Sequence, residues 1–199
     1  MDNDYVLQVL FEASNLTRIG DYNGCLKKLE PFITTPPVEL SVLVEAGRAA
    51  LLAGKNRDAL VLLLRAWQLE PRDGGVNSNL GDVFLQLHAF DEALKCYQEG
   101  QKIAPTDYFW KMKLGDLEFE RKNFSQALSY YEAAIQLCDE DDDPTRSKFM
   151  LALCQVEVGQ FASALPFLRY AVEECPSSDD AQTALAKCEI ALARQRMRP

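Results

Sequence analysis

Six cysteines, one histidine and a dense acidic run are the residues of this 199-residue chain whose chemistry could reach beyond packing. A cysteine can form disulfides, attack as a thiolate or bind zinc, a histidine can move protons near neutral pH, and clustered carboxylates can hold calcium. Spacing decides among these. Cys25, Cys96, Cys138, Cys154, Cys175 and Cys188 contain no C-x-x-C pair, and the chain is long enough to bury a core without disulfides. Reduced thiols in small packing positions are expected. Zinc needs closely paired Cys or His ligands, and His88 stands eight residues from its nearest cysteine, so no metal is expected.

The run Asp139-Glu140-Asp141-Asp142-Asp143-Pro144 is contiguous, whereas calcium loops place acids at alternate positions with a glycine and a distant glutamate. Its expected role is a connection, with Asp143 as the N-cap and Pro144 as the first residue of the next helix. The phosphate loop G-x-x-x-x-G-K-[ST], H-E-x-x-H and G-x-S-x-G are all absent. No catalytic residue and no cofactor are expected, and the chain is read as a non-enzyme.

Composition narrows the partners. Twenty-one Lys and Arg against thirty Asp and Glu give a net charge of −9, which opposes phosphate polymers, so no nucleic acid is expected. The longest apolar runs, such as 59–64, fall far short of the ~20 residues that cross a bilayer, and no membrane insertion is expected. The start Met1-Asp2-Asn3-Asp4 is acidic where a leader would be basic, which points to a cytoplasmic protein.

The elements that position these residues come from a repeat. Segments beginning at Val6, Leu40, Gly74 and Tyr108 follow one another at 34 residues, and a fifth begins at Thr145 after three extra residues. Column 8 of these segments holds Ala13, Gly47, Gly81, Gly115 and Ala152, and column 20 holds Cys25, Ala59, Ala93, Ala127 and Ala164. Column 24 holds Leu29, Leu63, Tyr97, Tyr131 and Leu168. Small residues therefore recur where two helices touch, with large ones at helical spacing beside them.

Turn residues stand near columns 14 to 17: Gly20-Asp21, Gly54-Lys55-Asn56, His88, Lys122-Asn123 and Gly159. Proline closes four of five units, at Pro37, Pro71, Pro105 and Pro176. Each unit reads as a helix, a tight turn and an antiparallel helix. The repeats span 6–39, 40–73, 74–107, 108–141 and 145–178, with a C-terminal capping helix at 179–194, in a single solenoid over 1–199.

These columns resemble the tetratricopeptide repeat, and Leu80, Gly81, Phe84, Ala93, Tyr97 and Pro105 make the third unit the closest match. The resemblance implies an all-α fold, a right-handed α-solenoid. Column 4, often tryptophan in that family, holds Val9, Leu43, Asn77, Lys111 and Lys148, so weaker packing is expected in units three to five. Phe32, with Pro36 and Pro37, is expected to distort the exit of unit one.

The resemblance also implies that a second stripe of the first helix, at columns 2, 5, 6, 9 and 12, lines a concave trough that binds a partner's peptide or helix. That stripe supplies the candidate partner-binding residues: Arg48, Asn79, Asp82, Phe109, Met112, Lys113, Asp116, Arg146 and Phe149. Leu51, Leu85 and Phe119 on the same stripe are weighed as core instead. Polar fixing groups among aromatic and methionine side chains suit an anchor-and-clamp peptide site. Asn79 stands where family members grip a peptide backbone. The clamp for a C-terminal carboxylate does not fit, because its positions hold Val44, Arg48, Asn79, Phe109 and Lys113.

The leading expectation is a protein–protein interaction scaffold or adaptor. The alternatives are a chaperone-like holder of an aggregation-prone or secreted client, and self-assembly through the apolar N-terminal helix around Leu7, Leu10 and Phe11.

Overall fold

Every repeat closes on a backbone conformation that L side chains rarely adopt. In the computed structural model, which describes residues 3–139 and 142–197, column 15 has positive φ in all five repeats: Gly20 at 85°, Gly54 at 73°, His88 at 57°, Lys122 at 65° and Gly159 at 81°. A left-handed residue ends the first helix and turns the chain back on itself. His88 therefore serves as a turn residue, one of two that tolerate an angle glycine takes freely.

Eleven helices result among the described residues. They are α1 (Asn3–Arg18), α2 (Tyr22–Thr34), α3 (Leu40–Leu52), α4 (Asn56–Leu69), α5 (Gly74–Gln86), α6 (Phe90–Ile103), α7 (Tyr108–Glu120), α8 (Phe124–Leu137), α9 (Thr145–Glu157), α10 (Phe161–Glu174) and α11 (Asp179–Arg196). Aspartate and serine start several of them. The Asp73 carboxylate accepts the Val76 N–H at 2.7 Å, Asp107 accepts that of Phe109 at 2.9 Å, and the Ser178 hydroxyl accepts that of Ala181 at 3.3 Å.

The fold is the expected all-α solenoid of helix-turn-helix repeats. Contacts divide it into two compact units, Met1–Ala104 and Pro105–Pro199. In the first, Val9 and Ala13 of α1, Cys25 and Leu29 of α2 and Ala46 of α3 share one apolar cluster, and a second joins α3, α4 and α5 through Leu43, Leu63 and Leu80. In the second unit, Tyr131 and Ala127 of α8 pack with Leu151 of α9, and Leu168 of α10 packs with Ala152 of α9 and Cys188 of α11.

The small-against-large columns explain the close pairing of helices within a repeat. A Cβ on Gly47 would lie 2.6 Å from Leu63 Cγ, one on Gly115 would lie 2.7 Å from Tyr131 Cε1, and one on Gly81 would fall on the Tyr97 ring. All of these column 24 side chains are fully buried. Burying each removes apolar surface worth roughly 1.5–3 kcal/mol, and this is available only because the facing helix offers no side chain there.

Several expectations need correction in detail. The first helix begins at Asn3, three residues before the repeat does, and the last runs to Arg196. Asp4 in the first turn and Arg194 and Arg196 in the last complement the helix dipoles at those ends. Asn77 is buried without an orphaned amide, because its Nδ2 donates to Pro71 O at 3.0 Å and to Asp73 O at 2.9 Å. Pro144 precedes α9, which starts at Thr145, and Asp143 caps from one position further out by accepting the Thr145 N–H at 2.9 Å. Glu140 and Asp141 of the acidic run lie outside the described residues. Phe32 is buried, and the exit of unit one does depart from the others: α2 stops one repeat position earlier than α4, α6, α8 and α10 do, and Pro36 and Pro37 are joined by a cis peptide bond.

Gly115→Ala should lower unfolding free energy by about 1–3 kcal/mol in urea titrations, because the Tyr131 ring must move to admit a methyl group. Gly54→Ala, where an added Cβ meets nothing within 4 Å, should cost only about 1 kcal/mol, the conformational penalty of a left-handed residue.

Candidate functional site

The candidate face consists of the sides of the first helices that point away from their own second helices. Each unit carries its own part of it. In the first unit Arg48 of α3 lies half-exposed and donates from Nε and Nη2 to Glu45 at 3.2 and 2.8 Å. The Glu45 carboxylate also accepts the Thr17 hydroxyl of α1 at 2.7 Å, so Arg48 is oriented by a network that ties α1 to α3. Asn79 of α5 is partly exposed, and its Nδ2 donates to the Gly75 carbonyl one turn earlier at 2.9 Å. Asp82 of α5 accepts the Tyr97 hydroxyl of α6 at 2.7 Å.

The second unit repeats this last arrangement and extends it. Asp116 of α7 is buried at 9% exposure, and its Oδ1 accepts the Tyr131 hydroxyl of α8 at 2.7 Å. Its Oδ2 accepts Arg146 Nη2 of α9 at 2.9 Å. One carboxylate thus holds two elements at once. Burial and the facing Asp116 raise the Tyr131 pKa, so the phenol remains the donor. Burial, with Asp116 nearby, pushes the Cys154 thiol up to about 12. The Arg146 side chain is largely exposed, so its ion pair contributes less to stability than to fixing where the guanidinium stands.

Other residues of α7 and α9 make the face partly apolar and aromatic. Phe109 meets Trp110 edge-on at 5.2 Å, and Lys113 Nζ stands 5.2 Å from the Phe109 ring centroid, within cation–π range. Met112 is half-buried against the cluster around Tyr131, and Phe149 against the one around Leu168. Leu51, weighed as core, is buried among α3, α4 and α5.

The structure brings Phe109 to Lys113 and Asp116 to Arg146, but gives Asp82 and Asp116 internal partners where a ligand contact was expected. Sequence reasoning placed Glu45 on the stripe, and Tyr97 and Tyr131 in the packing column, without their hydrogen-bonding roles, and it missed Thr17. For the tyrosines a signal existed: column 24 is tyrosine only in the two units whose column 9 is aspartate.

All six cysteines are free thiols, and Cys25, Cys154 and Cys188 are fully buried. Burial raises the pKa of Cys25 and, with Glu92 and Glu99 nearby, takes Cys96 to about 11, which leaves both as poor nucleophiles. Among the described residues no group of three His, Cys, Asp or Glu side chains gathers as a metal site, and no helix is long and apolar enough to cross a membrane.

Asp116→Ala strands the buried Tyr131 hydroxyl and should cost about 1–3 kcal/mol. Adding Tyr131→Phe should then cost little more. A double-mutant cycle in urea checks this, and additive losses would contradict the bond.

Comparison with known proteins places this geometry among repeats. Two models of the tetratricopeptide repeat family match the chain, one over residues 50–114 and one over residues 112–179. Over 129 residues, 65% of this chain, it is 31% identical to the aspartyl/asparaginyl beta-hydroxylase of Mus musculus. The chain spans only 17% of that relative's length. A thermophilic tetratricopeptide repeat protein of Thermus thermophilus superposes with a TM-score of 0.76 at 19% identity, covering 92% of this chain and 98% of the other. A chain of the APC/C hetero-tetramer Cut9–Hcn1 gives 0.81 at 14% identity, covering 92% of this chain and 36% of that one. At such identities these two structures speak for the fold alone.

Proposed function

The chain belongs to the tetratricopeptide repeat family, and from that premise we propose that it is a non-enzymatic scaffold whose first helices present a partner-binding face. The observation that carries this reading is the α7–α9 surface. There Phe109, Met112 and Phe149 are only partly buried, Lys113 stands over the Phe109 ring, and Arg146 is held in place by Asp116. Aromatic and methionine side chains supply adaptable contact area, and fixed cations supply orientation, which is the division of labour in peptide-in-groove recognition. Arg48 and Asn79 offer polar contacts on the corresponding face of the first unit. Asp82 and Asp116 support that face from beneath.

Hydroxylase chemistry is not part of the proposal, because the match to that relative takes in a small fraction of it. Six free thiols suit a reducing compartment such as the cytoplasm.

The test begins with a partner captured on the intact chain and identified by mass spectrometry. Phe109→Ala with Lys113→Ala, and separately Asn79→Ala, should weaken its binding by roughly tenfold or more, with the thermal midpoint nearly unchanged. Unaltered affinity in all of these variants contradicts the assignment of the face.

A second reading, self-association, is favoured by one observation. Leu7 and Phe11 of α1 are 57% and 70% exposed, while Leu10 between them packs into the first core cluster. If copies associate through this helix, the mass measured by light scattering should rise with concentration in the native chain and stay monomeric in Leu7→Glu with Phe11→Ser. A native chain that is monomeric at high concentration removes the reading.

A further inference from the structure

The outward face of α4 departs from the pattern of its own repeat. At columns 22 and 25 the second helices carry Lys27 and Glu30 in α2, Lys95 and Gln98 in α6, Ser129 and Glu132 in α8, and Pro166 and Arg169 in α10. All of these are exposed, and all but the proline are polar, as solvated positions should be. In α4 the same two columns hold Val61, 60% exposed, and Leu64, 41% exposed. Trp67 and Leu69 extend the exposed apolar surface toward the end of the helix. These side chains are 41–60% exposed, and the eight equivalent positions in the other four second helices show what the repeat places there when only water is met.

The charge around the stripe is also unlike the rest of the chain. Residues 55–72 carry Lys55, Arg57, Arg65 and Arg72 against Asp58 and Glu70, a net positive segment in a chain of net charge −9. At 3.6 residues per turn Arg57, Val61, Leu64 and Arg65 share one side of the helix. Arg65 is positioned by its bond from Nη2 to Ile33 O at 3.1 Å. A groove between α2 and α4 has Leu26, Ile33 and Leu62 in its lining, and beyond the end of α4 Arg72 lines another with Glu99, Lys102 and Ile103 of α6.

We propose that this face of α4 is a second docking surface, distinct from the face of the first helices, and that its occupant is an acidic amphipathic segment of another protein. Aliphatic or aromatic anchors of that segment cover Val61 and Leu64, and its Asp and Glu residues meet Arg57 and Arg65. A basic, tryptophan-bearing helix face also suits an anionic bilayer. A protein segment is favoured because the groove between α2 and α4, with Leu26, Ile33 and Leu62 in its lining, offers a recess that takes individual side chains, which the flat surface of a bilayer does not fill.

The intact chain can be screened against a phage-displayed library of random 16-residue peptides, in parallel with Val61→Ser and Leu64→Gln combined. These are the side chains that α8 and α6 carry at the same columns, so the thermal midpoint should not move. The expected result is a peptide class rich in Leu, Phe or Trp flanked by Asp and Glu. Its affinity should fall at least tenfold in the double variant and severalfold in Arg57→Gln, and should weaken as salt rises. It should be unchanged by Phe109→Ala with Lys113→Ala, which separates this surface from the one proposed above. Four results overturn the proposal: no peptides that depend on the stripe; stripe-dependent peptides without acidic residues; a native dimer lost in the double variant; or binding to phosphatidylserine–phosphatidylcholine vesicles lost in it.

Discussion

A missing side chain is what the repeats are built on. Column 8 is glycine at Gly47, Gly81 and Gly115, and onto each of them the partner helix lays a fully buried leucine or tyrosine. In these three repeats the helices of a pair approach closely because that position is empty, in the other two Ala13 and Ala152 keep it small, and the left-handed residue at column 15 turns the chain so that the helices meet there. Glycine inside a helix costs about 1 kcal/mol relative to alanine. The large side chain it admits more than offsets that cost.

The residue after the glycine completes the arrangement. In Gly81-Asp82 and Gly115-Asp116 the glycine admits a tyrosine ring and the following aspartate accepts its hydroxyl, so a ring that must be buried is also hydrogen-bonded. Where column 24 is leucine no such acceptor is needed, and the equivalent position holds Ser14, Arg48 or Leu153. Asp116 goes further, since its second oxygen holds Arg146 of the next first helix. An internal polar bond thereby reaches the surface and fixes a cation on α9, one turn before Phe149.

Much of this was legible in the chain. Column agreement at a 34-residue period identifies the helix pairs, their turn and the small-against-large contact, because all of these depend on which side of a helix a residue takes. What lies between helices was harder to read. Asp82 and Asp116 fall on the outward stripe and read as ligand contacts, yet each is claimed by a tyrosine fifteen residues later, a pairing that requires the packed geometry. Asn77 reads as a weak point in a core column, but the carbonyls of the preceding loop satisfy it. Asp143 acts one position further from α9 than its motif suggests, since the cap is set by where the first helical turn closes. The exposure of α4 was present in columns 22 and 25 and becomes informative only when those positions are known to face water.

The central claim is that the first helices of the repeats, held by these internal contacts, are the face that meets a partner. Amide hydrogen exchange followed by mass spectrometry, on the intact chain with and without a captured partner, tests it most directly. Slower exchange across α7 and α9 on binding is the predicted result. Protection confined to α8 and α10, with α7 and α9 unchanged, would contradict it.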